Sequence, residues 1–130
     1  MESGTRRLQV DRFVLVEIDS VPHLEALLLL FNSRPNSWSI EEIAKSLFVR
    51  PEVAARILEG LAQRNLIAAV PRASGMFFYN PDDDNRNNLI EDVDAVYRKE
   101  VVRISSIIHS KAPAGLRDFA RAFRFKKDKE

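Results

Sequence analysis

The chain of 130 residues contains no cysteine, so neither a disulfide nor a thiolate zinc site is open to it. It has only two histidines, His23 and His109, far apart in sequence, and nothing resembles a metal-ligand cluster. Glycine is scarce too, with four residues, and there is no glycine-rich loop to cradle a phosphate. No serine or acid pair stands in a nucleophile or general-acid setting, so neither catalysis nor a cofactor is expected. The longest unbroken apolar run, Ala26 to Phe31, falls far short of the roughly 20 residues that cross a bilayer, and no signal-peptide core follows the start MESGTRR. A cytoplasmic protein without membrane contact is the expectation. An excess of one charge is also missing. Lys and Arg number 20 against 19 for Asp and Glu, so any attraction to nucleic acid must come from local patches.

What is present suffices for one domain with appendages, since 45% of the residues are hydrophobic. We divide the chain into an N-terminal extension (1–19), a central module (20–81), a long C-terminal helix (82–111) and a short helix with a basic tail (112–130). The extension is ambiguous: Val10, Val14, Val16 and Ile18 alternate as in a strand, while Leu8, Arg12 and Leu15 also suit a helix, which we favour. Ser20 then offers an N-cap, Pro22 sits where a missing N–H does no harm, and Leu24, Leu27, Leu28 and Phe31 mark a helix face ending before Pro35. Asn36 to Trp38 is a connector or a minimal strand.

Ser39 and Glu42 have capping-box spacing, and Ile40, Ile43, Ala44 and Leu47 form the stripe of a short helix. Phe48 to Arg50 is a turn. Pro51 opens a third helix whose inner face is Val53, Ala54, Ile57, Leu58 and Leu61, with Asn65 near its end. Ile67 to Val70, a turn at 71–75, and Met76 to Tyr79 read as a β-hairpin. The expected core is Ile43, Leu47, Ile57, Leu58, Leu61 and Leu66 with Leu27 and Leu28.

The order helix, short helix, turn, helix, hairpin predicts an α+β, mostly α fold: a winged helix-turn-helix with a long C-terminal helix. Two segments, Ser39-Ile40-Glu41-Glu42-Ile43-Ala44-Lys45-Ser46-Leu47 and the run from Val53 to Ile67, resemble bacterial regulators of the winged-helix superfamily, of the MarR-like and PadR-like kind. Asn65 stands where those families usually have glycine. The resemblance implies a DNA-binding transcriptional regulator whose third helix enters the major groove and whose hairpin, the wing, touches the backbone or minor groove. The groove-facing candidates it implies are Arg50, Glu52, Ala55, Arg56, Glu59 and Gln63, with Arg72 at the wing tip. Three arginines on that helix offset by two glutamates predict weak or highly specific binding. The alternative is a module of the same fold that binds another protein through a solvated charged face.

From Asp84 to Lys111 the pattern predicts one helix of about 42 Å at ~1.5 Å per residue. Its stripe, Ile90, Val93, Tyr97, Val101, Ile104 and Ile108, suits a helix partner and predicts a homodimer, with packing back on the same chain as the alternative. Asp83, Asn85, Asn87 and Asp94 have calcium-loop spacing, but Asn88 replaces the turn glycine and Asp94 the bidentate glutamate, so helix capping is the reading taken. The aromatics Trp38, Phe48, Phe77, Phe78 and Tyr79 suit either a ligand pocket or the core. Beyond Ala112, Arg117, Arg121, Arg124, Lys126, Lys127 and Lys129 form a basic cluster able to reach phosphates or remain solvated.

Overall fold

In a computed structural model of the chain, residues 2–81 and 83–110 are described. The ambiguous N-terminal stretch is helix α1 (Glu2–Glu17). Val10, Phe13 and Val14, followed by Ile18, are buried at helical spacing, whereas Leu8, Leu15 and Val16 remain exposed. Helix α2 (Val21–Asn32) starts at Ser20, whose Oγ accepts the His23 N–H at 3.3 Å. Six of its twelve residues are buried, because α3, α4, the hairpin and α5 all pack around it. It ends where the Ser33 hydroxyl donates to the Leu29 carbonyl, and the Trp38 indole N–H donates to the same hydroxyl oxygen at 2.8 Å.

Strand β1 (Ser37–Ser39) is the minimal strand, and it leads directly into α3 (Ile40–Leu47). Both halves of the capping box form: the Glu42 N–H donates to Ser39 Oγ at 3.0 Å, and the Ser39 N–H donates to Glu42 Oε1 at 2.8 Å. Helix α4 (Pro51–Gln63) carries proline at its first position, where no N–H is needed. Beyond it Asn65 takes a left-handed conformation, φ 63°, which asparagine tolerates better than most residues. Strands β2 (Ile67–Ala69) and β3 (Met76–Tyr79) form the hairpin. The sheet order is β1-β3-β2, antiparallel throughout, with Trp38 opposite Phe77 and Ala68 opposite Phe78. The Ile40 N–H donates to the Gly75 carbonyl at 3.2 Å, tying the hairpin turn to the start of α3.

The expected core is buried apart from Leu47, which lies at its edge. Helix α5 (Asp84–Lys99) begins with the Asp83 carboxylate accepting the Arg86 N–H at 2.8 Å. The single helix expected to run to Lys111 is broken at Glu100, where φ is −131° and ψ 51°. Residues 101–110 form a further helical stretch, α6, whose first turn closes on the Glu100 carbonyl. At the break Glu100 is held by charges, one of them from a distant segment. Arg7 of α1 reaches its carboxylate at 2.6 Å and Arg103 Nε at 2.5 Å, while Arg103 Nη1 donates to both oxygens of Asp11 at 2.8 and 2.9 Å.

The break changes the fate of the stripe. Ile90, Val93, Ile104 and Ile108 are buried within the one chain, so they are not the free seam expected for a second copy. The extension α1, whose role was open in the sequence, covers α5. Tyr97 is half-buried and its hydroxyl donates to Glu25 of α2 at 3.1 Å, and Val101 is 45% exposed. Among the described residues no helix is long and apolar enough to cross a membrane. The basic cluster after Ala112 lies outside the described residues.

Candidate functional site

Helix α4 is divided lengthwise. Ala54, Ile57, Leu58 and Leu61 face the core, which turns Glu52, Arg56, Glu59 and Gln63 outward, and these four are exposed. Ala55 lies between the faces, partly covered. Arg50 is exposed at the N-cap, where its side chain makes no capping bond. Arg72 is exposed in the turn between β2 and β3. The seven candidates thus divide into five along one exposed side of α3–α4, Ala55 at its margin, and Arg72 on the separate hairpin turn.

Arg64, the third arginine in the expected charge balance, is engaged elsewhere. It caps the end of α4 and pairs with Glu17 at 3.2 Å and Asp19 at 3.3 Å, so it fastens α4 to the α1–α2 junction. The exposed face therefore balances two arginines against two glutamates. Sequence reasoning also left out Lys45, exposed on the last turn of α3 opposite the Ile43 and Ala44 side. Its position opposite that stripe was the available signal.

Among the described residues some cations are paired and some are not, and the unpaired ones include Arg12 of α1 and Arg86 and Lys99 of α5. Arg6, Arg7, Arg64, Arg98 and Arg103 form ion pairs with carboxylates, all but Arg64 lying on α1, α5 or α6. Lys45, Arg50, Arg56 and Arg72 make no ion pair among the described residues, and all four lie on the α3–α4 and hairpin side. Arg34 is different again, with its guanidinium stacked 4.0 Å above the Phe31 ring.

The aromatics do not share a pocket. Phe77 and Tyr79 are core residues, and Tyr79 meets Phe31 edge-on with centroids 5.2 Å apart. Burial pushes the Tyr79 hydroxyl up to about 12, against the weaker opposing fields of Arg34 and Arg86. Phe48 is 92% exposed on the α3–α4 turn, away from the others. The residues with calcium-loop spacing have separate uses: Asp83 caps α5, Asn87 accepts from the Tyr79 hydroxyl at 2.9 Å, and Asp94 binds Asn32 and Arg98. Among the described residues no group of three or more His, Asp or Glu is arranged to hold a metal.

An open groove of about 650 Å³ runs between α1 and the start of α5, lined in part by Arg12, Phe13, Val16, Asp83, Arg86 and Leu89. Its two arginines are offset by Asp83, Glu17 and Asp92, so its charge selects no class of ligand.

No protein-family model and no curated protein sequence matches this chain. Among solved structures, the chain is similar to that of Rv1404 from Mycobacterium tuberculosis, at 20% identity and a TM-score of 0.52, covering 98% of this chain and 86% of that one. At that identity the likeness is one of fold alone.

Proposed function

We propose that residues 20–81 act as a winged helix-turn-helix that binds duplex DNA, and that the protein is a cytoplasmic transcriptional regulator rather than an enzyme. In this reading α4 enters the major groove, Arg56 and Gln63 read base edges, Arg50 and Lys45 meet phosphates, and Arg72 on the hairpin touches the backbone beside the groove. The observation that carries it is the cluster of four exposed cations, Lys45, Arg50, Arg56 and Arg72, on α3, α4 and the hairpin turn without an ion pair among the described residues, whereas Arg6, Arg7, Arg98 and Arg103 of α1, α5 and α6 are held by carboxylates. Exposed and unneutralised cations gain most from phosphates, because their binding releases condensed counterions without first breaking an internal pair.

Regulators of this shape read two half-sites about 34 Å apart as two-fold pairs, and we extend that reading to this chain. With Ile90, Val93, Ile104 and Ile108 already covered, the pairing surface moves to apolar residues exposed on α1 and α6, namely Leu8, Val16, Val101 and Val102. The second reading, a module that binds another protein, is favoured by Glu52 and Glu59, which lie on the same face of α4 and would repel phosphates. Selection from a pool of random duplexes with the purified full chain separates the two. Enrichment of a shared sequence is expected, and a pool that stays unenriched would transfer the face to a protein partner.

A further inference from the structure

Among the described residues three adopt positive φ: Phe48 at 58°, Asn65 at 63° and Gly75 at 80°. Glycine and asparagine are the residues that accept this backbone readily, while a bulky side chain there is strained. Phe48 is the outlier. It ends α3 in the position that glycine usually fills, with the Val49 N–H donating to the Ala44 carbonyl at 3.0 Å across it. Its neighbours Leu47 and Val49 pack against the core, yet the Phe48 ring is 92% exposed. The chain thus carries two unfavourable features at one residue, a strained backbone and a large apolar group in water, and neither is repaid by a contact inside the core.

The surroundings indicate what meets the ring. Lys45 precedes it by one helical turn and Arg50 follows two residues later, both exposed and without an ion pair among the described residues. Arg50 also stands at the N-cap position of α4, the helix assigned above to the major groove. An apolar group flanked by cations matches the edge of that groove, where thymine methyl groups lie beside the phosphate backbone. We propose that Phe48 is a DNA-contacting residue, its ring packing on a thymine 5-methyl group at the margin of the site read by α4. This rests on the DNA-binding reading and adds a base preference that the charged residues of α4 do not supply.

The test uses the full chain and the duplex enriched from a random pool, comparing wild type with Phe48→Asn and Phe48→Gly, and each thymine with deoxyuridine, which lacks the methyl group. Phe48→Asn should bind roughly five- to twentyfold more weakly, the scale of one well-buried apolar contact. Removing the contacted methyl should weaken wild type several-fold and leave Phe48→Asn unchanged. Both variants should melt at or above the wild-type temperature, since asparagine and glycine accept the left-handed backbone. If wild type binds the enriched duplex but neither the methyl nor the ring matters, the proposal is overturned and DNA binding stands. If no duplex is enriched, both fall together. Should a variant fail to fold, the methyl scan on wild type decides alone.

Discussion

The module from α2 to β3 and the layer formed by α1, α5 and α6 are held together in different ways. In the module the contacts that set the helix boundaries are local: Ser20 bonds His23, Ser39 and Glu42 bond each other, and α3 packs on the next helix along the chain. In the layer they are distant, since Arg7 and Glu100 are 93 residues apart and Asp11 and Arg103 are 92 apart. The charges differ in the same sense. Four of the layer's seven described cations, Arg6, Arg7, Arg98 and Arg103, pair with its own carboxylates while Arg12, Arg86 and Lys99 do not, and of the module's cations Arg64 is paired while Lys45, Arg50, Arg56 and Arg72 are not. A cation already held by a carboxylate gains less from an ionic partner than one that is not.

The comparison is sharpened first in the core, where the largest effects are expected. Leu58→Ala in the module and Ile104→Ala in the layer remove side chains with no exposure, and each should cost about 2–5 kcal/mol in denaturant unfolding. Both should leave one cooperative transition, because all the buried residues belong to one cluster. Two separate transitions would mean that module and layer are independent units. Ile104→Glu should lower stability in the same way, by placing a charge in the core. If instead it left stability intact and only separated a dimer in sedimentation, the intramolecular packing of the stripe would be wrong.

Next comes the clamp. Asp11 and Arg103 form an ion pair about one-third exposed, with Nη1 against both carboxylate oxygens, and a double-mutant cycle with Asp11→Ala and Arg103→Ala should give a coupling of about 1 kcal/mol that shrinks with salt. The equivalent cycle between Arg56 and Glu59 should give none, as neither is in an ion pair among the described residues. The smallest effect concerns acid. Hydrogen bonds from Arg7 and then Arg103 hold the Glu100 carboxyl below its ordinary value of 4.5. A depressed folded value means that the stabilisation is present above the unfolded value and is lost as pH falls through the folded one. Glu100→Gln should therefore flatten the decline in melting temperature below about pH 4.5 and leave the curve near neutrality parallel to that of wild type.

The same contrast explains what could be read without coordinates. Ser20, the Ser39 and Glu42 box, Pro51 and Asn65 act within four residues of themselves, so boundaries and phasing in the module followed from spacing. The phasing of α4, and with it the outward position of Arg56 and Gln63, followed from its apolar stripe. Strand β1 is only three residues long, too short to show the alternation that separates a strand from a connector. At the break Glu100 meets Arg7, and its partner Arg103 meets Asp11, contacts that no local pattern shows. The engagement of Arg64 by Glu17 and Asp19 was hidden for the same reason, and it altered the charge balance of the candidate face. Stripe periodicity identified which side of the C-terminal helices is covered, but not that α1 covers it.

The central claim is that the unpaired cations of α4 and the hairpin turn engage duplex DNA, and salt dependence tests it most directly. Binding of the enriched duplex and of an unrelated duplex would be measured over a range of salt for wild type, Arg56→Ala and Arg72→Ala. Arg72→Ala should weaken both duplexes alike and lower the slope of log K against log salt by about one, the mark of one lost phosphate contact. Arg56→Ala should cost about 1–3 kcal/mol on the enriched duplex and much less on the unrelated one, the mark of a lost base contact. Wild-type affinity and slope in both variants would contradict the account.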